Sequence, residues 1–181
     1  MVSLHADNAD DNGYAINMLG TMVYHSLKYK HAVFAPHARN LEDFGIPNVG
    51  YPIHPIQQVP APGWYPQIVE GDGAIAYHGR QLDVEMVKSM SQNNTACRLS
   101  DDLMISVTLA YYGVQLFALP RPSLDPSVYD DSGRADFNYF EDTDALHLLN
   151  PDGTRGSGEN TNNRKYQVCY KHIQPLYLRQ P

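Results

Sequence analysis

Two adjacent carboxylates stand at the mouth of an otherwise apolar helix in the stretch Cys97-Arg98-Leu99-Ser100-Asp101-Asp102-Leu103-Met104-Ile105-Ser106. Leu103, Val107, Ala110, Tyr111 and Val114 recur at helical spacing, and Ile105 and Leu109 fill the opposite side, so most of this helix is expected to be buried. Gly113 closes it. The 114–119 run then reads as a strand halted by Pro120, which puts Asp101 and Asp102 at the far end of the helix from that turn, facing a cleft. One explanation of the acids is structural: Ser100 is an N-cap, and negative charge favours the positive end of the helix dipole. Leu103 stands where a capping box needs Glu or Gln, so that motif does not account for them. The other explanation is a general base beside a partner carboxylate. Like charges this close oppose joint ionisation while the dipole favours it, so a cleft that excludes water could poise one of them.

With 181 residues, 43% of them hydrophobic, and a mean hydropathy of −0.43, the chain suits one soluble domain over 1–181 with a sizeable core. A formal net charge of −7 and the lack of any Lys/Arg cluster argue against a nucleic-acid partner. No apolar run is long enough to span a bilayer, and the N-terminus lacks the order of a signal peptide, so a cytoplasmic location is expected. Cys97 and Cys169 are the two cysteines. They exclude a disulfide framework; two reduced thiols are the expectation, a single bridge between them the alternative.

Along the chain, 2–6 is a short strand candidate, and 7–13 is a polar turn that leads into a helix with Ile16, Leu19, Val23 and Leu27 as its apolar face and Met18 and Met22 alongside. A strand at 32–35 follows. The proline-rich 36–66 segment is expected to be a long irregular loop over the surface. The 67–69 and 74–77 runs flank Glu70-Gly71-Asp72-Gly73 and read as two strands meeting at a tight turn. A short helix carrying Leu82, Met86 and Met90 precedes the Asp101 motif. Further on, 136–149 has the spacing of a surface helix, 150–163 reads as a flexible loop, and Tyr166, Val168, Cys169, Tyr170 and Ile173 suggest a closing helix. These elements predict an α/β domain whose mixed central sheet contains 32–35, 67–69, 74–77 and 114–119, with the Asp102 helix packed on it.

A second cluster able to carry chemistry is Asp7-Asn8-Ala9-Asp10-Asp11-Asn12-Gly13. Clustered oxygen ligands after a strand suit a hard divalent cation shared with phosphate oxygens. An EF-hand loop beginning at Asn8 would need a bidentate Glu where Leu19 stands, which argues against that reading. An Asx-rich turn capping the next helix is the structural alternative. The 8 histidines form no HExxH pair, and there is no Gly-x-Ser-x-Gly turn, which argues against a zinc hydrolase and a serine hydrolase.

In this order the motifs resemble those of nucleotide-sugar glycosyltransferases of the GT-A fold. In that family a strand ending in an acidic DxD-type turn precedes a helix and a strand. A segment like 69–77 lies in the acceptor region, and a segment like Ser100-Asp101-Asp102-Leu103-Met104-Ile105-Ser106 carries the catalytic acid. Asp144-Ala145-Leu146-His147, Asn160 and Arg164-Lys165-Tyr166-Gln167-Val168-Cys169 extend the resemblance over nearly the whole chain. It implies a mixed central sheet with flanking helices, here apparently without the family's upstream nucleotide-binding βαβ unit. It further implies a manganese or magnesium ion held by Asp10 or Asp11, a donor contact at Asn12, and Asp102 as the base that deprotonates an acceptor hydroxyl. Asp101 would orient the acceptor or tune that base. Glu70 and Asp72 would hydrogen-bond the acceptor, with Trp64 and Tyr65 stacked on a sugar face; a hairpin turn at Asp72-Gly73 and core cover by Trp64 are the structural alternatives. The implied reaction moves a sugar with inversion from a nucleotide-sugar donor to a carbohydrate or glycoprotein acceptor. The competing expectation is a truncated, non-catalytic remnant that binds a sugar or a partner protein.

Overall fold

Four consecutive apolar residues, Ala32–Ala35, form the strand on which the domain is built (β2), and all four are buried. Burial on both faces is what an inner strand covered by helices requires. In the computed structural model, which describes residues 2–5, 16–48, 66–71, 75–119, 149–156 and 160–177, β2 lies inside a four-stranded mixed sheet. Its partners are β1 (Val2–His5), β5 (Ile75–His78) and β6 (Gln115–Ala118), in the order β1-β5-β2-β6. β2 and β6 run parallel, with Ala32 opposite Gln115 and Ala35 opposite Ala118, while β5 is antiparallel to both β1 and β2.

Alternation along the strands gives the sheet two apolar faces. Val33, Ala35, Ile75 and Leu116 pack with Ile105 and Leu109 of helix α4 (Asp101–Tyr111). Phe34 turns the other way, toward Phe117 and toward His25 of helix α1 (Ile16–Lys28), at ring-centroid distances of 5.7 and 5.3 Å. The protein is thus a small mixed α/β domain with flanking helices. No helix among the described residues is long and apolar enough to cross a membrane.

The inward face of α1 departs in part from the predicted one. Met22, read alongside that face, is buried, but so is Ser26, whereas Leu27 is 56% exposed. Ser26 can face inward because its hydroxyl donates to the Ala76 carbonyl at 3.2 Å, and its own carbonyl lies 3.0 Å from His78 Nε2.

The 67–69 and 74–77 runs do not pair with each other. Ile68–Val69 (β4) instead pairs antiparallel with Ala38–Arg39 (β3) in a separate two-stranded ribbon. The cause is a competing partner: the Val69 N–H donates to Ser106 Oγ of α4 at 2.9 Å, and the Glu70 N–H donates to the His37 carbonyl at 3.0 Å. The first part of the segment read as an irregular loop therefore carries structure. After β3, the 3-10 turn Leu41–Phe44 buries Leu41 and Phe44, and Ile46 is buried behind them; residues 49–65 lie outside the described residues.

Helix α4 is buried from Leu103 to Ala110. Its second side joins a core formed with the 3-10 turn, Ile68 of β4, Met90 of α2 (Val84–Ser91), Ala96 and Cys97 of α3 (Thr95–Arg98), and Tyr166, Cys169, Tyr170 and Ile173 of α5 (Asn160–Tyr177). Cys97 and Cys169 are bonded to each other, with Cα atoms 4.7 Å apart. This overturns the expectation of two reduced thiols, because the packing of α3 on α5 brings into contact two cysteines 72 residues apart. The segment read as a flexible 150–163 loop begins with a closed turn: Leu149 bridges Arg155, the Asn150 N–H donates to the Thr154 carbonyl at 2.7 Å, and α5 already starts at Asn160. The helix expected over 136–149 falls outside the described residues apart from Leu149.

Candidate active site

The first turn of α4 holds the site. Ser100 takes the N-cap position, but its side chain makes no capping bond, and its buried Oγ has no hydrogen-bond partner among the described residues. The orphan amides of the helix start are instead left beside Asp101 and Asp102, whose charges suit the positive end of the helix. Asp102 reaches across to the chain leaving β4. Its Oδ1 accepts a 2.7 Å hydrogen bond from the Gly71 N–H, a short, charge-assisted contact. Its Oδ2 lies 3.5 Å from the Tyr166 hydroxyl of α5, which donates to it.

Glu70, the residue before that amide, is half-buried at 15% side-chain exposure and paired with Arg39, whose Nε lies 3.2 and 3.3 Å from its two carboxylate oxygens. The Arg39 guanidinium sits 5.6 Å over the Phe44 ring, and Phe44 stacks on Tyr166 with centroids 4.1 Å apart and planes 8° apart. The chain of contacts runs from Glu70 through Arg39, Phe44 and Tyr166 to Asp102, and back through Gly71. Such a closed circuit of packed and hydrogen-bonded groups fixes side chains that single surface contacts would leave mobile.

Lys165 of α5 is wholly buried. Burial pushes its ammonium down to about 8 from the usual 10.5, against the opposing pull of the Asp101 carboxylate.

The predicted site residues divide in two. Asp101, Asp102 and Glu70 come together around the start of α4 and the end of β4. Asp10, Asp11, Asn12, Trp64, Tyr65 and Asp72 lie outside the described residues. Among the described residues there is no group of three or more His, Cys, Asp or Glu side chains able to hold a metal ion. The acids that are described are engaged otherwise, Glu70 by a guanidinium and Asp102 by an amide, and they do not form a cation site. Sequence reasoning missed Arg39, Phe44, Gly71, Lys165 and Tyr166. Lys165 was traceable: it falls between Thr161 and Cys169 at four-residue spacing, on the face of α5 that Tyr166, Tyr170 and Ile173 bury.

Comparison of the chain with protein-family models, with curated proteins and with solved structures gives no match.

Proposed function

We propose that the chain is the base-bearing part of an inverting glycosyltransferase of GT-A type that moves a sugar from a nucleotide-diphosphate donor to a hydroxyl of a carbohydrate or glycoprotein. The observation that carries this reading is the environment of Asp102: a carboxylate at a helix start, gripped by the Gly71 amide through one oxygen, with the Tyr166 hydroxyl 3.5 Å from the other. That distance is long for an O–H···O bond, so an acceptor hydroxyl can compete for Oδ2. In the reaction so read, Asp102 Oδ2 takes the acceptor hydroxyl proton as the acceptor oxygen forms its bond to the anomeric carbon. The bond from that carbon to the donor phosphate oxygen breaks on the opposite face, and the nucleoside diphosphate leaves with the electron pair. Holding the base on a rigid helix supplies orientation. In this reading Glu70, paired with Arg39, accepts from a further acceptor hydroxyl.

The manganese or magnesium ion that the family resemblance implies would be held by Asp10 or Asp11. When bound, such an ion offsets the charge of the departing diphosphate.

The test is turnover with a panel of sugar nucleotides and simple glycoside acceptors, with and without manganese, followed by NMR of the product anomer. Inverted product from the wild type and none from Asp102→Asn is expected. Retained stereochemistry, or equal turnover by the variant, would refute the assignment.

A further inference from the structure

Gln92, Asn93 and Asn94 join α2 to α3, and the two asparagines have different roles. Asn94 is the N-cap of α3, its side chain accepting from the Cys97 N–H at 3.0 Å. Asn93 is exposed and sits at φ 61°, the one non-glycine residue with positive φ among the described residues. Asparagine tolerates that conformation better than most side chains, and it or glycine suits a turn that ends one helix and caps the next. The backbone therefore accounts for residue 93 alone. Thr95 contributes an exposed contact, accepting from Arg98 Nη2 at 3.1 Å, and completes Asn93-Asn94-Thr95. This is the one Asn-x-Ser/Thr triplet in the sequence with x other than proline. It is the acceptor pattern for N-linked oligosaccharide, a bulky modification that belongs on surface turns of secreted chains.

A second, independent observation points to the same compartment. Cys97, two residues beyond Thr95, is bonded to Cys169, and both cysteines are fully buried. Such bridges form and persist in secretory and extracellular compartments and are rare where glutathione keeps thiols reduced.

We propose that Asn93 is an N-glycosylation site and that the chain matures in an oxidising secretory compartment, in place of the cytoplasmic location expected from the sequence. The inference stands independently of the functional reading above. The co-substrate is an oligosaccharide carried on a lipid diphosphate. The Asn93 side-chain nitrogen bonds to the anomeric carbon as the bond from that carbon to the diphosphate oxygen breaks. The lipid diphosphate leaves with the electron pair, and the amide nitrogen gives up one proton to a base of the transferring enzyme. The exposed turn leaves the product on the surface, and the capping bond of Asn94 does not involve the modified amide.

The test is peptide mass spectrometry of the full chain, purified unreduced from the cells that make it and treated with peptide N-glycosidase in oxygen-18 water. A glycan on the peptide containing Asn93, released to leave an oxygen-18 aspartate at position 93, is expected, together with no free thiol at Cys97 or Cys169. An unmodified Asn93 in that material overturns the proposal, and free thiols there overturn the assigned compartment. Variants of the full chain directed into the secretory lumen of a eukaryotic cell fix the position. Asn93→Gly, which suits a left-handed turn, and Thr95→Ala should each lose the glycan completely, while Thr95→Ser should keep it. A glycan that survives Asn93→Gly or Thr95→Ala, or a wild type that stays bare in the lumen, overturns the assignment equally. The readout is a covalent mass, so it holds for a variant that folds poorly.

Discussion

Reducing the Cys97–Cys169 bridge is expected to cost the domain about 4 kcal/mol. The bond joins α3 to α5 across 72 residues, and constraining a loop of that length in the unfolded chain is worth about 4.4 kcal/mol at 25 °C on the chain-entropy estimate. Both cysteines are fully buried, so reduced thiols would keep their packing and the comparison isolates the cross-link. For a chain of this size the loss corresponds to a fall in Tm of roughly 10–15 °C. Urea unfolding of the oxidised and reduced protein, read by circular dichroism, measures it. Reduction should also raise the denaturant slope, because the freed unfolded chain exposes more surface. Thiol titration of the unfolded, unreduced protein must find no free thiol. Two free thiols, or a reduction cost below about 1 kcal/mol, would refute the reasoning.

Three further outcomes follow. Ser106→Ala removes the acceptor of the buried Val69 N–H and should destabilise by about 1–3 kcal/mol in urea unfolding; an unchanged midpoint would mean β4 is not held by α4. Asp102→Ala leaves the Gly71 amide without its 2.7 Å acceptor and should cost about 1–3 kcal/mol, while Asp102→Asn, which keeps an acceptor oxygen, should cost about 1 kcal/mol or less. Lys165 is depressed to about 8 when folded, against 10.5, so the unfolded chain holds more protons between those values, and stability should rise as pH climbs through that window. The rise is at most about 3 kcal/mol, and about half that after solvent screening. Burial pushes the Tyr77 and Tyr170 hydroxyls up, which acts oppositely at higher pH, so the slope is read as the difference between the wild type and Lys165→Met from about pH 8 to 9.5. No difference in slope would show that the Lys165 ammonium is not depressed.

What was legible in the sequence is what local spacing dictates. Helix α4 is buried almost throughout, so its apolar residues mark it from either side, and Gly113, at φ 75°, ends it where a left-handed residue is needed. β2 and β6 declare themselves as short apolar runs. Partner choice was not legible, because long-range polar contacts set it. β4 leaves the sheet since a serine 37 residues away takes its amide, and α1 turns Ser26 inward because the Ala76 carbonyl waits there 50 residues on. The cysteines illustrate the same point: their pairing depends on how α3 meets α5. Near the start of α4, Asp101 and Asp102 could be found from their awkward position, and Glu70 was singled out only through the family resemblance. Lys165 broke the rule that charge marks the surface, and a lysine on an apolar stripe reads as noise until its burial is seen.

The central claim is that Asp102 is a proton acceptor for sugar transfer, and parallel measurement of binding and turnover for Asp102→Asn tests it most directly. Asparagine keeps the size and the oxygen that holds Gly71 but cannot take the acceptor proton. Calorimetry of a sugar nucleotide with manganese should therefore give the same affinity for the variant as for the wild type, while turnover falls by at least about a hundredfold. Wild-type turnover by a folded Asp102→Asn protein would contradict the account, as would a wild-type chain that binds no sugar nucleotide.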